Sequence, residues 1–164
     1  TDSFVTVFRD PRGYNVPSSA QICYESIYGE HFSKPVAEGA ELMFVITNDG
    51  WWRNTPGHRQ HFSYSRLRAI ENRRSIARSA NTGISGFITP TGKVLDQRLG
   101  WDERGAATAE VPINDRVTFY SRMGDYIARI CNLIFPLALL YYVAIYFRRK
   151  ADEPTPKKKS KHKK

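Results

Sequence analysis

The run Ile130–Phe147, ICNLIFPLALLYYVAIYF, holds 18 residues without a charge. As a helix it would be about 27 Å long, close to the hydrocarbon thickness of a bilayer. The preceding Tyr126-Ile127-Ala128 lengthens it if Arg129 extends its charge toward the interface. Tyr141, Tyr142 and Tyr146 crowd one end, as interfacial aromatics do. Pro136 falls mid-run, where a membrane helix tolerates it better than a soluble one. A buried core helix is the alternative. The run is apolar all round and is followed at once by Arg148-Arg149-Lys150, which favours a membrane span over residues 127–147.

The segment after it reads as a topology signal. The chain carries a formal charge of +9, and between Arg148 and Lys164 nine Lys/Arg against Asp152 and Glu153 give +7 of it. Residues 1–147 therefore carry only +2, too little for a nucleic-acid-binding face. A Lys/Arg excess marks the cytoplasmic side of a membrane. This orients residues 148–164 as a basic cytoplasmic tail, disordered and held near anionic headgroups. Residues 1–126 then lie on the opposite side.

Residues 1–126 read as an α/β domain. SFVTVF alternates like a strand and ends in the turn RDPRG. SAQIC is a short strand, and YESIYGEHFSKPVAEGA is helix-like but interrupted at Gly29 and Pro35. ELMFVIT is the near-continuous apolar run of a buried strand, and NDGWWRNTPG is the loop after it. HRQHFSYSRLRAIENRRSIARSA is predicted as one long helix, with Phe62, Leu67, Ile70 and Ala77 facing inward and arginines covering the rest. GISGFIT, KVLDQR and AATAEVPI read as strands joined by turns. The pattern is that of a layered sheet-and-helix fold.

Chemistry in such a sheet gathers beyond the C-terminal ends of strands. Cys23 closes SAQIC just before a helix start, whose partial positive charge favours a thiolate. A small structural cysteine is the competing reading. Two cysteines, Cys23 and Cys131, make no disulfide framework. Glu25 is either a solvated helix-start residue or part of a proton-handling network beside the thiol. Asn48 and Asp49 can orient backbone or substrate. Trp51 and Trp52 are either lipid-facing anchors or packed rings. His58 and His61, three residues apart, lack a nearby third ligand, so no metal is expected.

Taken together, ICYESIYGE, TNDGWW and RAIENRRSIARSANTGISGFI resemble the nitrilase superfamily and, within it, the apolipoprotein N-acyltransferases. The nitrilase-like features are Cys23 followed by Glu25, Asn-x-x-Trp from Asn48 to Trp51, Arg-Ala-x-Glu-Asn from Arg68 to Asn72, and a strand entered through Asn-x-Gly from Asn81 to Gly83. CYE, RSANTGIS and the terminal apolar run with its basic exit are the acyltransferase-like ones, so that residues 20–147 are covered. The resemblance implies the C-terminal half of a nitrilase-like layered αββα sandwich, followed by one transmembrane helix. It implies Cys23 as a nucleophile that takes a fatty acyl group from a phospholipid as a thioester. The acyl group would pass to the N-terminal amine of a lipid-modified apolipoprotein. Glu25 would be the supporting carboxylate, and Tyr24 and Trp51 would contact substrate. Asn48, Asp49, Glu71 and Asn81 would support the site. No cofactor and no metal are implied. The location implied is a bacterial inner membrane, with the domain on the periplasmic side.

The family's triad is Glu, Lys and Cys, with the Glu and the Lys earlier in the chain. The 22 residues before Cys23 contain neither, and Lys34 and Lys93, the lysines before the basic tail, match neither family position. Thr1 stands where a methionine would begin a complete chain. The expectation is a truncated, inactive piece with one sheet face left open. A membrane-tethered amidase and a non-catalytic membrane-anchored binding domain are the rival readings.

Overall fold

The computed structural model describes residues 4–151, so most of the predicted basic tail, from Asp152 on, lies outside the described residues. The chain divides into two compact units between Asp125 and Tyr126.

In the first unit, β1 (Thr6–Arg9) and β2 (Asn15–Ile22) form an antiparallel hairpin. Its turn is set by Asp10, whose Oδ1 accepts from the N–H groups of Arg12 and Tyr14 at 3.0 and 2.8 Å. β2 is thus longer than the SAQIC expected. A 3₁₀ turn (Cys23–Ile27) and α1 (Gly29–Ala37) follow. Gly29 opens α1 rather than breaking it, and Pro35 sits within its last turn. β3 (Leu42–Asn48) runs parallel to β2 and to β4 (Ser75–Asn81), and β5 (Gly86–Ile88) closes the sheet antiparallel to β4. The order is β1-β2-β3-β4-β5.

The long helix expected from His58 to Ala80 is two elements. α2 (Pro56–Asn72) stops where Arg73 turns left-handed at φ 51°, and SIARSAN is β4. Solvated arginines are what a helix would require here, but Arg74 and Arg78 are buried. Arg74 instead donates to the carbonyls of Ala40 (2.6 Å) and Arg116 (2.8 Å), stitching the start of β4 to two other segments. Burial pushes its pKa down. The inward face of α2 also differs from expectation. Phe62 is buried, but Leu67 and Ile70 are exposed, and the buried stripe is His58, His61, Ser65, Arg68 and Asn72. Two further predicted strands do not form. KVLDQR gives only an isolated bridge, Val94 to Ile88, and AATAEVPI forms no strand. Side chains hold that second segment instead, with Ser75 Oγ donating to the Pro112 carbonyl at 2.6 Å.

The sheet has two unlike faces. On one, α1 and α2 cover a core of Phe32, Val36, Met43, Val45, Phe62, Ala69, Ile76 and Ile88. On the other, Ile22 and Ile46 are paired in register and more than half exposed. Phe8 packs edge-on against Phe44 there. The segment from Leu99 to Ala107 borders a cleft of about 760 Å³ over Phe44, Ile46 and Phe87.

At the C-terminal ends of β3 and β4 a buried ion pair joins the strands. Asp49 Oδ2 accepts from Arg78 Nη2 at 2.9 Å, both side chains being fully buried. Thr47 Oγ1 and His61 Nδ1 reach Asp49 Oδ1 at 3.0 and 2.9 Å, and Arg78 Nη1 donates to Ser65 Oγ at 3.1 Å. Burial alone would raise the Asp49 pKa. The His61 hydrogen bond, the charges of Arg78 and His61, and the Thr47 hydroxyl outweigh it and hold the carboxyl below its ordinary value.

In the second unit, α4 (Tyr126–Ala151) is one helix of 26 residues containing the uncharged run, with Pro136 inside it and Arg148, Arg149 and Lys150 in its last turn. It is long and apolar enough to cross a membrane, with a mean hydropathy of 2.0 and its apolar side chains exposed on all sides.

Two stability predictions follow from this packing. Met43→Ala, on the helix-covered face, costs about 2–5 kcal/mol, whereas Ile46→Ala on the open face costs about 0.5 kcal/mol, read by chemical denaturation of the detergent-solubilised chain. Asp49→Asn leaves Arg78 buried without its counter-charge and costs about 3–5 kcal/mol at neutral pH. Because the folded Asp49 pKa lies below its unfolded value of about 3.9, the carboxylate's contribution is complete above that pH and disappears on acidification through the folded pKa. The stability curves of the two proteins should therefore converge in acid.

Candidate functional site

The site is built where β2 ends. Ile22 is the last strand residue, and Cys23 turns the chain sharply at φ 51° into the 3₁₀ turn. A non-glycine residue in this left-handed region costs about 1–2 kcal/mol, so its neighbours must hold it there. Glu25 Oε2 accepts from the Ile22 N–H at 2.8 Å, clasping the bend from the strand side. Ser26 Oγ donates to the Cys23 carbonyl at 2.6 Å, clasping it from the other. The Cys23 residue itself is partly exposed, reachable from solvent rather than sealed in the core.

Aromatic rings gather beside it. Tyr24 stacks on His61 at 5.5 Å and 22°, and lies 6.2 Å from Trp51 and 5.6 Å from Trp52. Trp52 also meets His61 edge-on at 5.2 Å. The two tryptophans therefore part company. Trp52 is packed, and Trp51 is 70% exposed, with its ring only edged by Tyr24 and Trp52.

The β3–α2 loop supplies the underlayer. Asn48 Oδ1 accepts from the Gly50 N–H at 3.0 Å and shapes the turn that carries Trp51. Asn48 and Asn81 are register partners, and the Asn81 carbonyl accepts from the Asp49 N–H at 3.2 Å. Gly83 is needed because a Cβ there would strike the Asp49 carboxylate and the Ala80 side chain. The Asn-x-Gly stretch thus leaves β4 and leads on toward β5, and it closes over the buried ion pair.

Burial lowers the Arg78 pKa, while the charge and hydrogen bond of Asp49 and, more weakly, charge at Cys23 raise it.

Glu71, also expected to support the site, stands in a different group. It pairs with Arg68 at 3.2 Å, and its carbonyl accepts from Thr118 Oγ1 beside α3 (Phe119–Met123). Burial raises its pKa, Arg68 opposes this, and Asp125 adds to it. Gly29 packs its Cα against the Arg68 guanidinium and the Tyr120 hydroxyl, so this group ties α1, α2 and α3 together.

Sequence reasoning missed Ser26, Arg78 and the contact of His61 with Asp49. The signal was present in α2, where the polar residues 58, 61, 65, 68 and 72 recur at helical spacing and mark the buried stripe. His58 and His61 diverge in surroundings: His58 packs on Trp101 at 4.6 Å, and His61 turns to Asp49. Among the described residues no group of three or more His, Cys, Asp or Glu is placed to hold a metal.

Chemically, the arrangement can present a thiol at a strained strand end, beside a carboxylate, a buried cation and an exposed aromatic shelf. The chain is similar in sequence to known proteins. Apolipoprotein N-acyltransferase of Chlorobaculum tepidum is 38% identical over 130 residues, 79% of this chain and 24% of its own length. That of Thermotoga maritima is 38% identical over 114 residues, 70% of this chain and 22% of its own length. The chain thus spans about a quarter of the curated relatives it matches. Among solved structures, an amidase from Nesterenkonia sp. AN1 overlaps 63% of this chain and 40% of its own, at 22% identity and a TM-score of 0.48, too loosely to bear on function. The family model for carbon-nitrogen hydrolases matches residues 1–119, which take in every element from β1 to β5 and the whole group around Cys23. The chain belongs to the carbon-nitrogen hydrolase family.

Proposed function

We propose that this chain is the nucleophile-bearing part of a membrane-bound apolipoprotein N-acyltransferase. The observation that carries the reading is Cys23, partly exposed and strained at the end of β2, with Glu25 and the Tyr24–Trp51 shelf around it. The names of the relatives and the apolar helix α4 support the same reading.

In the first step the Cys23 sulfur bonds to the ester carbonyl carbon of a phospholipid. The ester C–O bond breaks, and the thiol proton leaves with the lysophospholipid oxygen. In the second step the N-terminal amine of a diacylglyceryl-cysteine lipoprotein attacks the thioester. The C–N bond forms, the C–S bond breaks, and a proton returns to sulfur. Glu25 braces the bend and adds negative charge beside the site. Tyr24 and Trp51 offer apolar area to an acyl chain or headgroup. Asn48, Asp49 and Asn81 hold the loop beneath them, and Glu71 holds the helices.

The residues gathered around Cys23 do not include the carboxylate base and the lysine of the resembling family. We assign these to a part of the enzyme outside residues 1–164, which leaves the chain inactive alone. α4 would anchor the enzyme where both lipid substrates reside. Its last-turn Arg148, Arg149 and Lys150 would face the cytoplasm, placing residues 1–126 in the periplasm of a bacterial inner membrane.

The intact protein incubated with phospholipid should carry a fatty acyl adduct on Cys23 by mass spectrometry, and the adduct should persist until an amine acceptor is added. Rapid release of free acid without acceptor would instead mean a hydrolase. Cys23→Ala should abolish both adduct and transfer; unchanged transfer would sink the reading. Glu25→Gln keeps an acceptor for the Ile22 N–H and loses the charge, so the fold should survive while turnover falls roughly 10- to 100-fold. Wild-type turnover in that variant would reduce Glu25 to a helix-start residue.

A further inference from the structure

His61 lies between the buried ion pair and the bend that carries the thiol. Its Nδ1 is 2.9 Å from Asp49 Oδ1, and its Nε2 is 3.3 Å from both the Cys23 carbonyl and Ser26 Oγ. Nδ1 lies between Asp49 Oδ1 and Arg78 Nη2, the latter at 3.1 Å. The Ser26 hydroxyl proton already goes to the Cys23 carbonyl, so both oxygens face Nε2 as acceptors and an Nε2–H donates to them. One face of the ring carries Tyr24 at 5.5 Å, and Trp52 closes on it edge-on. The imidazole is 1% exposed, so water does not compete for these contacts.

These contacts converge on one peptide unit. The Cys23 carbonyl and the Tyr24 ring flank the Cys23–Tyr24 bond, and the backbone dihedrals at that bond set the direction in which the thiol projects. Cys23 is the residue whose left-handed conformation requires outside support. Asp49 closes β3, Arg78 lies on β4 and Cys23 follows β2, so three adjacent parallel strands reach the nucleophile through a single α2 side chain. A histidine serving only to neutralise Asp49 would need Nδ1 alone. The engagement of Nε2 and of the ring face points to a second role.

We propose that His61 is a positioning residue for the Cys23 nucleophile: anchored through Nδ1 by Asp49, it fixes the Cys23–Tyr24 peptide through Nε2 and through the stacked Tyr24 ring. The proposal rests on reading Cys23 as the nucleophile, but its test reads the thiol itself and not acyl transfer.

The two amide substitutions separate the two edges of the ring. Asn at position 61 places its amide near the Nδ1 position and can keep Asp49 company, but it falls short of the Cys23 carbonyl. Gln reaches the Nε2 position. The measurement is the rate of iodoacetamide alkylation at Cys23 in the full detergent-solubilised chain, resolved from Cys131 by peptide mass spectrometry, with melting temperature recorded in parallel. His61→Asn should slow Cys23 alkylation by about 10-fold or more, and His61→Gln should stay within about 3-fold of wild type, even if it is the less stable of the two. Equal slowing in both variants, rates that follow melting temperature alone, or no slowing in His61→Asn would each overturn the proposal. Should either variant fail to fold, Tyr24→Leu decides: it removes the ring stacked on His61 while Ser26 stays bonded to the Cys23 carbonyl, and it should slow Cys23 alkylation; an unchanged rate would overturn the assignment.

Discussion

The arrangement at the strand ends depends on the buried pairing of Asp49 with Arg78. Two charges fully withdrawn from water are costly unless each is met by the other and by further hydrogen bonds. Here Thr47, His61 and Ser65 supply those bonds, each from an element that must be in its native place to do so. The pair therefore specifies geometry as well as offsetting its own burial. β3 and β4 must be in register, and α2 must lie across them at one rotation. A neighbouring glycine, Gly83, lets the following turn close over the carboxylate.

The contrast between the sheet's faces has the same local origin. Side chains alternate along each strand, so Met43 and Val45 point into the helix-covered core while Phe44 and Ile46 point the other way. A strand reading as a continuous apolar run is one that expects cover on both sides. The run ELMFVIT has helices on one face and, on the other, an open cleft bordered by the Leu99–Ala107 segment. That unequal cover agrees with a chain matching about a quarter of the length of its relatives.

How much of this could be read from residues alone varied with the kind of signal. The apolar run of α4, the buried strand β3 and the strand-end position of Cys23 were legible because each is local, set by hydropathy or by a boundary between periodicities. The end of α2 was not legible. Nothing in IENRRSIARSA breaks a helical pattern strongly, and the sequence alone does not show that Arg74 and Arg78 have buried partners thirty or so residues away. The strands expected in KVLDQR and AATAEVPI failed for the opposite reason. Their composition permits extension, but KVLDQR meets β5 through a few backbone bonds too short in run for a ladder, and in AATAEVPI the Pro112 carbonyl is taken by the Ser75 side chain. Of the expected site residues, Cys23, Tyr24, Glu25, Trp51, Asn48, Asp49 and Asn81 fall in one neighbourhood, and Glu71 falls in another.

The sequence by itself determined the chemistry available: a thiol with a carboxylate two residues on, a tryptophan-bearing loop, and a helix able to span a bilayer. These follow from residue type and short spacing, which survive any tertiary arrangement. Tertiary structure alone decided which groups hold the thiol's peptide in its left-handed bend. It brought His61 from α2 against a carbonyl 38 residues earlier and buried an arginine that composition would have left in water. Those choices depend on what packs against what, and a single strand of residues does not carry that information locally.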